Sequence, residues 1–350
     1  MISELSPIEM FSILVSQTQE LAVRRASLPH GRLQQLQALA HRVRKIRDLG
    51  GAQSKKRVGV FGAPKRGKST LLNTLLGEDL LPTSPVPLST TTIEIEQELG
   101  LKNWILVIDH ASDFVERKEC KSAEEVAGLL EKYGSRRGGA APAKRLRLKG
   151  SFPDCRILSM GGILMDTPGA EVAFTPDAKL EEEARRAIAA LNDTHVVLFC
   201  IRADQIGSRS DSDFYETHLQ CLGPMHVVTM KDKWDDEIST LADEVFTRYG
   251  LSQTDPVFFS AVEAADLKTR GTSGIDTLEH SIITEIERLS PEQGLLPGLA
   301  DYVLAVGDYP EIVPSRIHFL NLRYALEKSD NEWSERALFE MSKDTTLWNP

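Results

Sequence analysis

The stretch GVFGAPKRGKSTLLN, residues 59–73, decides the fold. It passes from an apolar strand through a tight loop into a helix. Within it, Gly62-Ala63-Pro64-Lys65-Arg66-Gly67-Lys68-Ser69 fits the pattern GxxxxGK[ST]. Glycines let the backbone curl so that successive N–H groups point inward at a β-phosphate. The helix that follows offers its positive end. Lys68 reaches β/γ oxygens, the Ser69 hydroxyl ligates Mg²⁺, and Thr70 completes a phosphate-binding run over 62–70. A Gly-rich turn that binds nothing is the weaker reading, because strand, helix, Lys and Ser all stand in place. The pattern predicts a nucleoside triphosphate and is silent on the base.

Outward from this loop the chain alternates strands and helices. Strands are expected at RVGVFG, TTIEIEQEL, NWILVIDH, KRLRLKG, GGILMDTPG, HVVLFCI, MHVVTM and PVFFSA. Helices are expected over 67–76, 122–133, 178–191, 211–221, 236–248 and 274–289, with a loop over 134–144. Apolar strands each followed by a helix imply an α/β fold with a mainly parallel sheet covered on both faces. Before it, 7–26 and 31–48 read as two helices, with Leu33, Leu36, Ala40, Val43 and Ile46 at helical spacing. GGAQSKK (50–56) is a flexible joint. Residues 291–313 read as irregular and 314–343 as a terminal helix. The expected division is a basic helical segment over 1–56, a nucleotide-binding domain over 57–290 and a helical tail over 291–350.

Three later motifs bear on the base. ILMDTPG supplies Asp166, a carboxylate at a strand end that holds Mg²⁺ through water, and Gly169, whose N–H senses a γ-phosphate. VVTMKDKWD ends a further strand with Asp232-Lys233-Trp234-Asp235. A carboxylate at Asp235 accepts both N–H donors of guanine's amidine edge, which adenine cannot supply. VFFSA brings Ser260 and Ala261, whose backbone reaches the guanine oxygen. DTPG alone is a weak match, but four motifs in order at strand carboxyl ends are hard to dismiss.

With these residues in view, the sequence resembles the translation-factor-related GTPases and, within them, the dynamin superfamily. The resemblance is strongest over GKSTLLNTLLGEDLLPTSPVPLSTTTIEI (67–95), and it covers roughly 57–290. It implies a P-loop GTPase domain that hydrolyses GTP with Mg²⁺ and pairs with a second copy through its nucleotide face. The long stretch from Thr92 to Asp166 resembles the family's insertion between the first switch and DxxG. The first-switch hydroxyl lies among Ser89, Thr90, Thr91 and Thr92; Thr90 is the first choice, Ser89 the next, and Thr91 or Thr92 serves simply to begin the strand. Position 232 carries Asp where the family's guanine motif begins with Asn or Thr. That substitution removes the side chain expected to tie this loop to the phosphate loop, and it keeps an ATP-using relative open.

Ala170 follows Gly169, so no Gln stands there to orient water. Lys65 and Arg66 inside the loop are the two candidates for a cation that neutralises charge on the β–γ bridging oxygen. The resemblance implies an internal arginine finger at the position of Lys65. Lys65, Arg66, Lys68 and Thr90 are therefore the candidate catalytic residues, and Ser69, Thr90 and Asp166 the candidate Mg²⁺ ligands. Solvated loop cations are the plain alternative for Lys65 and Arg66. A GTP-gated switch with negligible turnover is the alternative function.

The net charge of −10 argues against general nucleic-acid binding. Residues 1–57 nevertheless carry ten Lys/Arg against four acids. Packing of these basic helices against other helices is expected ahead of contact with an anionic membrane. The four cysteines lie far apart with no CxxC, which suggests reduced thiols in a cytoplasmic protein. No basic leader or spanning run is read. About sixty residues follow the GTPase domain, too few for a long stalk, so a partner protein would supply one. His195 and His226 are expected as strand-edge residues, not ligands. Trp234 is expected either to wall the base or to cover core.

Overall fold

Strand β1 (Arg57–Phe61) lies at the middle of a nine-stranded sheet, and its neighbours explain why its residues are almost wholly apolar. The computed structural model describes residues 6–25, 28–48, 55–83, 91–112, 114–135, 143–169, 178–234, 237–249, 256–266, 268–289, 291–306, 316–328 and 332–343. In chain order the elements of this unit are β1, α3 (Lys68–Leu76), β2 (Ile93–Gln97), β3 (Trp104–Asp109), β4 (Val115–Cys120) and α4 (Ala123–Gly134). There follow β5 (Arg145–Gly150), α5 (Arg156–Ser159), β6 (Ile163–Asp166), α6 (Ala178–Asn192), β7 (Val196–Arg202) and α7 (Arg209–Phe214). Last come β8 (Met225–Thr229), α8 (Ile238–Tyr249), β9 (Val257–Phe259), α9 (Ala261–Ala265) and α10 (Ile275–Arg288). Two helices, α1 (Pro7–Arg25) and α2 (His30–Asp48), precede β1.

The sheet order is β4-β3-β5-β2-β6-β1-β7-β8-β9. β1 is parallel to β6 and β7, as β8 is to β7 and β9. β2 runs antiparallel to β6 but parallel to β5, and β3 is antiparallel to β5 and β4. The segment between Thr92 and Asp166 thus extends one side of the sheet. Val126 and Leu130 of α4 are buried, as are Leu106, Ile108, Leu146 and Leu148 of the added strands. Ser122 caps α4 by accepting from the Glu125 N–H. The sequence VERKEC was not expected to be a strand: β4 is a sheet edge with exposed alternate positions, so its charges face water and hide the period.

One further expectation is corrected here. The segment 211–221 is not one helix. α7 starts at Arg209, capped by Ser208, and passes into a π turn (Tyr215–Leu219) and a 3₁₀ turn (Gln220–Leu222). The wider turn keeps Phe214, Tyr215 and Leu219 all buried. His226 stands at the start of its strand, as expected, and is buried there. β8 is flanked by β7 and β9, and the ring packs 5.3–5.8 Å from those of Phe199, Tyr215 and Tyr249. Burial pushes its pKa down to about 4, against a smaller opposing pull from the Pro224 backbone. His195 precedes β7, as expected, its Nδ1 accepting the Arg57 N–H at 2.8 Å.

By its contacts the chain divides into two compact units, one of residues 55–219 and 224–283, the other of 1–54, 220–223 and 284–350. The second unit is helical: α1, α2, α11 (Pro291–Val306), α12 (Arg316–Lys328) and α13 (Glu332–Lys343). Residues 291–306 therefore form a helix, not an irregular segment, and 314–343 holds two helices. In α11, Leu295, Leu299, Tyr302, Ala305 and Val306 are buried. That stripe outweighs an interior Pro297, which costs about 3 kcal/mol in an isolated helix. Tyr302 packs edge-on to Phe11 and shares a buried 2.8 Å hydrogen bond with Thr18. Arg42 pairs with Asp301. Leu36, Ala40, Val43 and Ile46 are buried, with Leu33 half-buried, so the apolar face of α2 is covered within this unit.

Candidate functional site

The site is built where β1, β6, β7, β8 and β9 end. After Phe61 the chain turns through Gly62, whose φ of 141° belongs to glycine. A Cβ there would stand 2.6 Å from the Cys200 carbonyl oxygen of β7, so the loop can settle on the sheet only with glycine at this position. Ala63, Pro64, Lys65 and Arg66 form the bend, and Gly67, with φ of 77°, starts α3. Lys65 is exposed and held at φ 62°, a conformation unusual for a side-chain-bearing residue. Among the described residues it has neither an ion pair nor a hydrogen-bonded side chain.

Inside the loop, the Lys68 ammonium donates to the carbonyls of Gly62 and Ala63, each at 3.0 Å. Burial pushes its pKa down, and Asp166 opposes that shift. The Ser69 hydroxyl donates to Asp166 Oδ2 at 2.8 Å. Asp166 is buried, its pKa raised by burial against the pull of Lys68, and its Oδ1 is without a hydrogen-bond partner. A buried carboxylate oxygen left unmatched beside a serine hydroxyl is a donor set of hard oxygens, which fits Mg²⁺. Thr167 anchors this turn by donating to the Val60 carbonyl. Gly169 lies directly against the loop: a Cβ on it would sit 2.9–3.0 Å from Pro64. Thr70 is half-buried, its carbonyl accepting from Thr74. Asn73 holds the following stretch by a two-way bond to the Leu81 backbone.

Arg66 behaves differently from its neighbour. Its guanidinium turns into the protein, with Nε 2.8 Å from Asp211, Nη2 2.9 Å from Ser208 and Nη1 on Gln205. The side chain is 7 % exposed and that of Asp211 0 %. Among the described residues the side-chain partners of this cation are protein groups behind the loop, so Arg66 does not project with Lys65.

On the base side, the tie to the phosphate loop expected to be missing is present three residues earlier. The Thr229 hydroxyl, at the end of β8, lies 2.9 Å from the Arg66 carbonyl and donates to it. Met230 then adopts φ 57°, and a short turn (Lys231–Lys233) presents Asp232. Asp232 is exposed, and its Oδ1 accepts from the Ser260 hydroxyl at 2.6 Å. Ser260 also caps α9, which Ala261 begins. Lys231 pairs with Glu263 at 3.0 Å. Lys233 is exposed. Trp234 is half-buried, and its indole N–H reaches Thr240 at 3.4 Å.

The structure thus brings together residues 62–70, Asp166, Gly169, Asp232, Ser260 and Ala261. Asp235, Thr90 and Ser89 lie outside the described residues. Thr91 is buried and donates to the Ala143 carbonyl at 2.8 Å, while the Thr92 carbonyl accepts from Leu146. Sequence reasoning missed Thr229, Ser208 and Asp211. A hydroxyl closing an apolar strand three residues before an Asp was the available signal for Thr229. Asp211 had none, being remote in sequence from the loop it serves. Cys120, Cys155 and Cys200 are buried free thiols, and burial raises the pKa of Cys200, beneath the loop, to about 12. Among the described residues no helix is long and apolar enough to cross a membrane.

Comparison with known proteins agrees with this geometry. The model of the Dynamin family matches residues 58–232. Dynamin-like protein 2 of Campylobacter jejuni is 24% identical over 230 residues, 63% of this chain and 33% of that protein. The bacterial dynamin-like protein of Nostoc punctiforme is 28% identical over 218 residues, 57% of this chain and 28% of that protein. The chain therefore spans about a third of the length of these relatives. Among solved structures, a member of an oligomerised bacterial dynamin pair, described as sensing and tethering membranes over long range, matches with a TM-score of 0.51. That match is 14% identical and covers 97% of this chain and 52% of the other.

Proposed function

This chain belongs to the dynamin family, and from that premise we propose that it is a GTPase: it binds GTP with Mg²⁺ and hydrolyses it to GDP and phosphate. The observation that carries this reading is the pair of bonds from Thr229 to the phosphate loop and from Ser260 to Asp232. Together they hold a carboxylate at a fixed place beside the phosphate cradle, as a base-reading group requires.

The same bonds support Asp232 as the base-reading carboxylate in place of Asp235. Thr229 is the tie that the guanine motif needs at its first position, and Asp232 follows it by three residues. Ser260 occupies one lone pair of Oδ1, which leaves Oδ2 and the second lone pair of Oδ1 to accept the two donors of guanine's amidine edge. Adenine offers no matching pair of donors, so it would leave the carboxylate unmatched.

Gly62 to Thr70 hold the phosphates, and Gly169, pressed on Pro64, is placed to report a γ-phosphate to the loop. Ser69 and Asp166 hold Mg²⁺, with Thr90 the proposed switch ligand. When bound, the cation neutralises charge on the β- and γ-oxygens. Lys68 exchanges its two carbonyl acceptors for phosphate oxygens. Lys65, exposed and backbone-constrained, is the cation available to the leaving oxygen, whereas Arg66 is engaged elsewhere.

Two copies pairing through this face would raise turnover, and the oligomerised bacterial dynamin pair supports self-association as the arrangement. Contact with a membrane, through partners or segments other than the buried face of α2, is the further role that neighbour suggests. Binding of GTP and ATP is compared by calorimetry with Mg²⁺, and specific activity is followed against protein concentration. GTP preference and activity that rises with concentration are expected. Equal or preferred ATP binding overturns the base assignment. Flat, negligible turnover returns the protein to a GTP-gated switch.

A further inference from the structure

Behind the phosphate loop lies a buried charged cluster that the proposed chemistry does not use. Arg66 meets Asp211 at 2.8 Å, Ser208 at 2.9 Å, and Gln205. Ser208 in turn donates to Asp211 Oδ2 at 2.7 Å and caps α7 by accepting the Asp211 N–H. Asp211 Oδ1 is buried with no hydrogen-bond partner, so Arg66 is the chief compensation for this carboxylate. Next to Asp211, Ser212 accepts two bonds from Arg248 at 2.8 and 3.1 Å, fixing α7 to α8. The Arg66 backbone is fastened as well, its carbonyl accepting from Thr229.

A buried ion pair is an expensive way to stabilise a fold, since apolar residues of like volume do as well or better. Its distinctive effect is to permit one geometry. Here the geometry fixed is that of Arg66, set between Lys65 at φ 62° and Gly67 at φ 77°. Those two residues shape the loop.

We propose that Arg66 is a positioning residue: its clamp to Asp211, Ser208 and Gln205 sets the phosphate loop in its binding shape before a nucleotide arrives. The loop and the first turn of α7 then move as one body. A displacement of α7 is a change in phosphate affinity, and a bound phosphate resists displacement of α7. This rests on the phosphate-binding reading above but not on the choice of base or on hydrolysis.

The test uses the full chain with Asp211→Asn, Arg66→Lys and the milder Ser208→Ala. Binding of GDP, ADP and pyrophosphate, turnover at saturating GTP, and thermal melting are measured on each. If the binding-competent loop falls to a tenth of the population, apparent affinity falls about tenfold. Asp211→Asn and Arg66→Lys are therefore expected to weaken binding of the diphosphates about tenfold, with the turnover of Asp211→Asn at saturation kept within about twofold, and Ser208→Ala to fall between. Turnover that collapses with affinity intact overturns the proposal and makes Arg66 catalytic. Melting temperatures that fall while affinity and turnover stand unchanged also overturn it, leaving a merely structural pair. A wild type that binds none of the three ligands removes the phosphate-binding reading itself. A wild type that binds, with variants that bind equally well, sinks this inference alone.

Discussion

Replacing Asp232 by Asn separates the two candidate carboxylates of MKDKWD, Asp232 and Asp235. The change preserves volume and keeps an oxygen able to accept from Ser260, now 2.6 Å from Oδ1, so the turn and the cap of α9 survive. What is lost is the charge that receives guanine's two donors. Hydrogen bonds to a charged group are worth about 1.5–3 kcal/mol each. Two of them give about 3–6 kcal/mol, or a loss of about 10²- to 10⁴-fold in GTP affinity. The asparagine amide also becomes a donor where guanine presents its amino group. Xanthosine triphosphate, which carries a carbonyl there, should gain on GTP in the variant. Calorimetric titration of both triphosphates, with Asp235→Asn measured alongside, reads the result. If Asp232→Asn binds GTP as the wild type does while Asp235→Asn loses it, the register drawn from Thr229 and Ser260 is wrong.

Three other outcomes are expected. Lys65→Gly relieves the positive φ while deleting the cation, so it should bind GTP normally yet hydrolyse it at least about tenfold more slowly, with Lys65→Arg recovering most of the rate; single-turnover hydrolysis decides it. Gly169→Ala drives a methyl to 2.9–3.0 Å from Pro64; overpacking of this kind costs about 1–3 kcal/mol, and it should appear as weaker GTP binding in a titration. His226 has a folded pKa of about 4, below the ordinary 6.5. The unfolded chain therefore takes up the extra proton between those values. Stability is full above about pH 6.5 and falls by about 3 kcal/mol as pH drops towards 4. His41, also pushed down to about 4 by burial beside Lys45 and Arg44, adds to the same slope. Urea melts of wild type and His226→Leu should differ in that window by this amount, and parallel curves would show that the ring does not titrate as described.

The sequence by itself determined every feature whose cause is local or periodic. The phosphate loop is contiguous, and its pattern is demanded by backbone N–H groups converging on one anion. The apolar runs that become β1, β6, β7 and β8 are buried on both faces and declare themselves without knowledge of their neighbours. Helices with a clear stripe, such as α4, were legible within a residue or two. Local signals failed where a neighbour supplied the missing energy: α11 is a helix despite Pro297 because other helices cover its apolar face, and β4 is a strand because β3 pairs with it.

Only the tertiary structure decided which side chains meet. In sequence, Lys65 and Arg66 are adjacent cations of equal promise. One faces solvent and the other is withdrawn because Asp211, 145 positions away, lies behind the loop. Likewise Asp232 and Asp235 compete on paper, and Asp232 is favoured by a hydroxyl from β8 and another from the end of β9. A motif states what chemistry a stretch of chain can perform. The sheet, by bringing distant strand ends to within hydrogen-bond reach, selects which of its residues are left to perform it.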